Sequence, residues 1–272
     1  HVHALRIPWE GVAVALAAPA VWTVTTWGSD LTAQAPQSHT LRVWTKRVLR
    51  EARGLTADCL RDLSVATRLG FSGPSCVVPG ELGIPQVADR RRAPQTGDPL
   101  RVVCPRGLLP HVRWKELILA VDLLAAEGLT IELTFIDVRR ASPKMHGPHV
   151  AFLPRLAREA MLALARESDV VVSPCTSDGI PNSVLEFMSQ GCVPVLGDIQ
   201  SSREVVREGR NGFLCDPMRP TSIADALRKV IDLQTRRTII ANNNYLLLSE
   251  YSRRAVYARL DDFFADVRGD LE

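Results

Sequence analysis

The sequence contains no uninterrupted apolar run of the ~20 residues that a membrane-spanning helix requires. Its nearest approach, residues 11–24, is divided by Pro19 and favours a short helix at 11–18 followed by a strand at 20–25. The six cysteines include no C-x-x-C pair, so they match neither a zinc finger nor a dithiol redox motif. We therefore expect buried, reduced thiols in a cytoplasmic protein.

Several common catalytic and binding motifs are also missing. No strand is followed by G-x-G-x-x-G and no G-x-x-x-x-G-K-[ST] occurs, which argues against a nicotinamide enzyme and a P-loop nucleotidase. The G-x-S-x-G elbow of hydrolases is absent. His146 and His149 lack partners at metal-ligand spacing and there is no D-x-D motif, so we expect neither a metal nor a cofactor. No stripe of basic and aromatic residues indicates a nucleic-acid partner.

What the sequence does contain is a strand–loop–helix–strand unit between residues 169 and 196. The β-branched run 170–172 is typical of a strand buried on both faces. A loop with Pro and Gly follows, then a helix at 183–190 that Gly191 ends in the manner of a C-cap. The run 193–196 predicts a second strand. Such a unit places a helix N-terminus at the carboxyl edge of a parallel sheet, where phosphate groups bind well.

Two carboxylates flank the start of that helix. Asp178 lies in the loop and Glu186 lies early in the helix, so both can face one crevice. Carboxylates accept hydrogen bonds from sugar hydroxyls, for example from a ribose diol. The pair alone leaves a second interpretation open, in which Asp178 is an ordinary loop residue and Glu186 is a solvated helix residue.

The neighbours of the two carboxylates resemble the donor-binding domain of retaining GT-B glycosyltransferases of the family 4 group. The resemblance is carried by Ser173-Pro174, Asp178-Gly179-Ile180-Pro181, Leu185-Glu186-Phe187-Met188, Gly191-Cys192-Val193-Pro194-Val195, Glu204-Val205-Val206 and Gly209-Arg210-Asn211-Gly212-Phe213-Leu214. At Asp178 the family usually has Glu. The sequence is thus expected to be α/β, with two Rossmann-like domains, the first incomplete, and a C-terminal helical tail.

The resemblance implies a role for each matching residue. Glu186 would hold the ribose and Asp178 would contact the donor sugar, while Glu204 belongs to the same donor site. Arg106, in the turn after the strand 100–104, would bind the donor diphosphate together with either Arg113 or Lys115. The donor-binding stretch Gly179, Ile180, Pro181, Asn182 and Ser183 would donate backbone N–H groups to the same charge, except at Pro181, which has no N–H.

The acceptor side is implied by a different segment. Residues 23–30 resemble the family's H-G-S-D-like stretch, with Trp27 where many relatives have His. Gly28 and Asp30 are therefore assigned to the acceptor side. Asp30 has an equally good interpretation as a loop residue that caps the next turn.

The resemblance also sets domain boundaries. Residues 1–83 would form an acceptor-side domain that lacks roughly 80 to 100 opening residues (typical domain size). Residues 84–99, rich in Pro and Arg, would be the linker, 100–248 the nucleotide-sugar-binding domain, and 249–272 a helix crossing back to the first domain. The helix that the family places after the strand 130–136 is expected to be reduced, because only 137–148 separate that strand from the next.

We predict a metal-independent transferase that moves a sugar from a UDP-, GDP- or ADP-sugar to a hydroxyl of a glycan or lipid-linked saccharide, with retention. Two alternatives stay open: a truncated, non-catalytic nucleotide-sugar-binding chain, and a sugar-nucleotide epimerase. The basic helix 41–53 is expected to be either a solvated face or a peripheral contact with anionic lipid at the inner face of the cell membrane.

Overall fold

The computed structural model describes residues 1–79, 83–84, 98–138, 149–233 and 237–269. The strands are β1 (Val2–Ala4), β2 (Trp22–Thr26), β3 (Gly54–Ala57), β4 (Ser75–Val77), β5 (Leu100–Cys104), β6 (Ile131–Phe135), β7 (Val150–Phe152), β8 (Val170–Ser173), β9 (Val193–Gly197) and β10 (Phe213–Cys215). The helices are α1 (Val12–Ala17), α2 (His39–Glu51), α3 (Leu60–Arg68), α4 (Trp114–Ala126), α5 (Arg158–Glu167), α6 (Asn182–Ser189), α7 (Ser202–Val205), α8 (Pro220–Leu233), α9 (Arg237–Leu248) and α10 (Arg253–Gly269).

The chain divides into two compact units. The first comprises His1–Gly83, Ser177–Asn182 and Glu250–Glu272, and the second comprises Ile84–Thr176 and Ser183–Ser249. Each unit contains a sheet whose described strands all pair in parallel, with helices in the connections. The predicted α/β class with two parallel-sheet units is confirmed.

The first unit has the sheet order β1-β2-β3-β4. Its core contains Val24, Val48 and Leu55, which have no solvent exposure and lie on β2, α2 and β3. The helix α10 packs closely on this sheet at Gly54. A Cβ atom added to this glycine would lie only 2.7 Å from side-chain atoms of Phe263 and Val267. A larger side chain at position 54 would therefore force the side chains of Phe263 and Val267 to shift.

The second unit has the sheet order β10-β9-β8-β5-β6-β7. Its first strand in the chain, β5, lies in the middle, where Val102 pairs with Leu133 of β6 on one side and with Val170 of β8 on the other. The strand order therefore reverses between β5 and β8. In open parallel sheets this reversal opens a crevice at the carboxyl ends of the two strands, where ligands bind.

Most predicted elements of the second unit match the structure within a few residues, and Gly191 follows α6 with the positive φ of +87° that favours glycine. The sequence also predicts a helix over 201–208, and this prediction is wrong beyond Val205, where α7 ends. Asn211 explains the early end: its side chain accepts from the Arg207 N–H and donates to the Val205 carbonyl, each at 2.7 Å. These bonds turn the chain where a longer helix would have continued.

Two predictions fall on segments outside the described residues. The linker predicted at 84–99 is described only at 84, 98 and 99, and the shortened connection at 137–148 only at 137 and 138. The expected absence of an opening part of the first domain stays a prediction. The six cysteines are thiols that form no disulfide with one another, and five of them are buried, whereas Cys76 is half-buried. Of the helices within the described ranges, none combines the length and the apolar character that crossing a bilayer demands.

Candidate functional site

The loops that follow β5 and β8 are joined by backbone hydrogen bonds at the crevice of the second sheet. The Arg113 N–H donates to the Pro174 carbonyl, and the Thr176 N–H donates to the His111 carbonyl, both at 3.0 Å. Between these bonds, Val112 and Cys175 form an antiparallel bridge. The turn that carries the predicted phosphate-binding cations is thereby fixed beside the loop that leads to α6.

Arg106 lies directly after β5, in the turn that opens this loop, and is half-buried. The next residue, Gly107, has a φ of +58°. A Cβ atom there would come within 3.0 Å of the Asp137 carbonyl oxygen, which lies after β6. Glycine is required for both reasons, and its conformation sets the direction in which the turn leaves the sheet.

Arg113 and Lys115, the two candidates for the second cation, line one cavity at the start of α4. The cavity has a volume of about 250 Å³ and is bounded by Pro110, Val112, Arg113, Trp114, Lys115 and Glu116. Arg113 forms an ion pair with Glu116. Lys115 is exposed, its Nζ lies 5.3 Å from the centroid of the Trp114 ring, and it pairs with no carboxylate in the described parts of the chain. The charge of Lys115 is therefore the more available of the two to a ligand.

Glu186 is buried on α6, with 3 % of its surface exposed, so the interpretation as a solvated helix residue is wrong. Its Oε1 accepts a hydrogen bond of 2.6 Å from Nη2 of Arg158. Sequence reasoning missed Arg158, which is 28 residues away at the start of α5. One local signal was present: a cation in the first turn of a helix opposes the helix dipole, and so suggests a carboxylate partner elsewhere.

The remaining predicted donor-side residues are distributed over both units. Asp178, Gly179, Ile180, Pro181 and Asn182 belong to the first unit, and Ser183 belongs to the second. Asn182 and Ser183 open α6 and are half-buried, whereas Ile180 is buried. Glu204 lies on α7, half-buried.

Within the first unit, Asp178 and Gly179 lie against the predicted acceptor-side residue Gly28. A Cβ atom at Gly28 would overlap the backbone N of Gly179. Arg61 joins the two segments, because its guanidinium donates to the carbonyl oxygens of Asp178 and Gly28, at 2.6 Å each. Asp178 turns its Oδ1 towards its own neighbour and accepts from the Gly179 N–H at 2.9 Å.

Arg61 is itself held in place by a buried carboxylate. Its Nε and Nη2 donate to Oδ1 of Asp62 at 2.9 and 2.7 Å, and Oδ2 of Asp62 accepts from the Thr26 hydroxyl at 3.0 Å. In the sequence, Arg61 and Asp62 of α3 cannot be distinguished from a solvent-exposed ion pair. In the structure both are buried, and Arg61 holds the backbone of two loops together.

Asp58, at the carboxyl end of β3, is a further residue that the sequence did not single out. Its Oδ2 accepts from the Gly28 N–H at 2.8 Å. Burial raises the pKa of Asp58 to about 7; the Gly28 N–H opposes that rise, and the charges of Asp62, Asp178 and Asp30 add to it. The first unit therefore contains a carboxyl group that changes its charge near neutral pH.

We expect Asp58→Asn to stabilise the protein at pH 8 and to leave it nearly unchanged at pH 4. Because the pKa in the folded state is about 7, above the usual 3.8, the stability that a neutral Asp58 provides is lost as pH rises through this window. Asparagine stays neutral and can still accept from Gly28. The melting temperature of Asp58→Asn should exceed that of the wild type by roughly 5 °C at pH 8.

Differential scanning calorimetry from pH 4 to pH 8 checks this expectation. Asp261→Asn is the matched control, since Asp261 is exposed on α10 of the same unit. A difference between Asp58→Asn and the wild type that is constant across the pH range would contradict the account.

Asp30, the other predicted acceptor-side residue, is completely buried. Its Oδ1 accepts from Arg6 at 2.8 Å, and its Oδ2 accepts from the backbone N–H groups of Trp27 at 3.1 Å and Ile7 at 3.4 Å. Both N–H groups belong to residues that precede Asp30, and the turn that starts at Asp30 has no side-chain cap, so these bonds are not those of the capping interpretation. The acceptor-side assignment of Asp30 stays a prediction. Trp27 is 48 % exposed, and its ring centroid lies 5.8 Å from the Arg6 guanidinium carbon.

Comparison with known protein families gives one match that covers more than half of the chain. The family described as glycosyl transferases group 1 matches residues 87–246. A D-inositol 3-phosphate glycosyltransferase of Nocardioides sp. is 30% identical over 95 residues, which are 35% of this chain and 21% of that protein. The aligned stretch thus spans about a fifth of the curated relative.

Solved structures with the same fold cover nearly the whole chain. HepE of Anabaena in complex with UDP has a TM-score of 0.75 at 15% identity, covering 94% of this chain and 76% of that one. Sucrose-phosphate synthase of Thermosynechococcus elongatus has a TM-score of 0.75 at 12% identity, covering 97% and 72%. The pneumococcal O-GlcNAc transferase GtfA, in complex with UDP and GlcNAc, has a TM-score of 0.77 at 12% identity, covering 94% and 55%.

Proposed function

Because the chain belongs to the glycosyl transferases group 1 family, we propose that it transfers a sugar from a nucleotide-sugar donor to a hydroxyl acceptor. The observation that carries the proposal is the buried Glu186 in the middle of α6, a helix that begins at the same sheet edge as the turn with Arg113. A buried carboxylate and a turn that carries cations, both at the edge where the strand order reverses, suit a ribose joined to a diphosphate.

UDP-sugars are the donors that we favour over GDP- and ADP-sugars. The supporting observation is that HepE and GtfA, which share the fold, are described as complexes with UDP, and HepE also with UDP-glucose. We assign residues 100–248 to donor binding, residues 1–83 to the acceptor side, and residues 249–272 to a helix that returns to the first domain.

In the proposed reaction the bond between the anomeric carbon and the diphosphate oxygen breaks, and an acceptor oxygen takes the place of the diphosphate. Negative charge develops on the diphosphate in the transition state. Stabilising that charge is the principal way in which the protein can lower the activation barrier. Arg106 and Lys115 would neutralise this charge, and the N–H groups at the start of α6 would donate to it. These fixed groups supply the positive charge without a metal ion.

The two carboxylates would hold the other parts of the donor. Glu186 would accept hydrogen bonds from the ribose hydroxyls, and Asp178 would accept one from a hydroxyl of the donor sugar. Asp178 is one methylene shorter than the usual Glu, so it needs a donor sugar that lies closer to the loop. We expect the anomeric configuration to be retained, as the resemblance of residues 169–214 implies.

For the acceptor we propose a glycan or a lipid-linked saccharide at the inner face of the cell membrane. The supporting feature is α2, which exposes Arg42, Arg47 and Arg50 while burying Val48 and Leu49. A helix with one buried face and one strongly basic face suits contact with anionic headgroups.

Product analysis tests the proposed function and separates it from both alternatives. The chain is incubated with UDP-glucose or UDP-N-acetylglucosamine and a panel of saccharide acceptors, and the products are analysed by mass spectrometry and NMR. A new glycoside with the donor's anomeric configuration is expected. An isomerised UDP-sugar would establish an epimerase, and intact donor bound without turnover would establish a non-catalytic binding protein.

We further expect Lys115→Ala to weaken UDP binding roughly tenfold, and Arg113→Ala to weaken it less. Arg113 is already paired with Glu116, whereas Lys115 is not paired with a carboxylate among the described residues. Calorimetric titration at low and moderate salt checks the difference, which should shrink as salt screens the charge. Lys229→Ala is the control, since Lys229 pairs with Glu208 at the surface; a larger loss for Arg113→Ala would reverse the assignment.

A further inference from the structure

We propose that Arg158 is a positioning residue that fixes the Glu186 carboxylate in the orientation that the nucleotide ribose requires. This inference rests on the proposed donor site and deepens it, because it adds a residue that determines how strongly the site depends on the ribose hydroxyls. Both residues lie in the second unit, Arg158 as the first residue of α5 and Glu186 in the middle of α6.

The geometry is that of a charge-assisted hydrogen bond at the boundary of the protein interior. Nη2 of Arg158 lies 2.6 Å from Oε1 of Glu186, and the side chains are 35% and 4% exposed, respectively. The acid is thus buried, while its partner extends to solvent. An ionised carboxylate is costly to bury without a compensating charge, and Arg158 supplies that charge.

The location of Arg158 is unfavourable for a residue that only stabilises a helix. It occupies the first position of α5, where the helix dipole favours negative side chains, and its neighbour Glu159 already provides one. The cation at this position therefore needs an explanation other than helix stability. Its contact with the buried Glu186 provides that explanation.

A second side-chain contact joins α5 to the residue that follows α6, and it is not an ion pair. Nε of Arg166, near the end of α5, donates to Oε1 of Gln190 at 3.1 Å. That contact connects an arginine to a neutral amide just after α6. Of these two contacts, the one that involves Glu186 is the charged one.

Fixing one carboxylate oxygen has a direct consequence for a bound nucleotide. A Glu side chain with a free rotor must lose conformational freedom when it binds a diol, and that cost reduces affinity. With Oε1 held by Arg158, the carboxylate plane is set before the nucleotide arrives. The favourable free energy of the ribose contact then makes the protein bind nucleotides that carry the diol more tightly than nucleotides that lack it.

The test compares UDP with 2′,3′-dideoxy-UDP, which lacks the ribose diol, by calorimetric titration of the full chain. The wild type should bind UDP roughly 10- to 100-fold more tightly, as expected for hydrogen bonds to a charged group. Arg158→Gln should lower the affinity for UDP and leave that for the dideoxy analogue unchanged, so the ratio should fall to within about threefold of unity. Arg158→Lys keeps the positive charge but not the planar guanidinium group. Its ratio of UDP affinity to dideoxy-UDP affinity should be intermediate.

Arg166→Gln is the matched control, because it removes an arginine from the same helix pair without touching Glu186; its ratio should equal that of the wild type. A ratio that is unchanged in Arg158→Gln, or affinities for both nucleotides that fall equally, would overturn the positioning role. If Arg158→Gln does not fold, Arg158→Lys decides the question by the same ratio. A folded wild type that binds neither nucleotide would instead overturn the proposed function, and the present inference with it.

Discussion

Replacing Glu186 with alanine should lower the affinity for UDP by at least roughly 100-fold and abolish detectable sugar transfer. Two effects combine in this change. The ribose loses its charged acceptor, and Arg158 loses the carboxylate that compensates its own charge. The first effect acts on binding, while the second lowers the stability of the α5–α6 contact.

Glu186→Gln separates these effects, because glutamine preserves the volume and can still accept one hydrogen bond from Arg158. We expect this variant to fold like the wild type but to bind UDP roughly tenfold more weakly. Glu159→Ala is the control, since Glu159 is exposed one residue after Arg158. UDP affinity of Glu186→Gln equal to that of the wild type would show that Glu186 has a structural role alone.

Replacing Arg106 with alanine should reduce kcat roughly 100- to 1000-fold, the loss typical when one fixed donor to a developing negative charge is removed. Arg106 follows the central strand β5, and Gly107 fixes the turn that carries it. The diphosphate gains charge as it leaves, so a cation beside it stabilises the transition state more than the bound donor. KM should therefore change less than kcat.

Steady-state kinetics with a UDP-sugar and a saccharide acceptor measure both constants. Arg106→Lys should recover part of the loss, because it restores the charge but not the bidentate geometry. Arg219→Ala is the control, as Arg219 forms a surface pair with Asp216 far from β5 in the sequence. A rise in KM at constant kcat would mean that Arg106 binds the donor without assisting its departure.

The strand–loop–helix–strand segment around Glu186 was predictable because the residues that determine it are close together in the sequence. The strands β8 and β9 are short apolar runs, Gly191 ends α6, and the motif residues lie within one stretch of chain. A parallel sheet with buried strands leaves few alternatives for such a pattern. The early end of α7 was not predictable in the same way, since it depends on side-chain bonds of Asn211 that hydrophobic periodicity does not report.

The partners of the site residues were not predictable, because they are distant in the sequence. Arg158 is 28 residues from Glu186, Arg61 is 117 residues from Asp178, and Asp58 is 30 residues from Gly28. No propensity or spacing rule links positions so far apart. Asp30 is a similar case: neither interpretation of its sequence predicted the contacts with Arg6 and Ile7, which lie 24 and 23 residues before it.

The central claim is that a nucleoside diphosphate binds at the carboxyl edge of the second sheet, beside Arg106, Lys115 and Glu186. Hydrogen–deuterium exchange of the chain with and without saturating UDP tests it most directly. We predict slower exchange in residues 105–116 and 182–187, and no change in α8. If exchange is unchanged throughout, or slows only in segments remote from this edge, the proposed donor site is wrong.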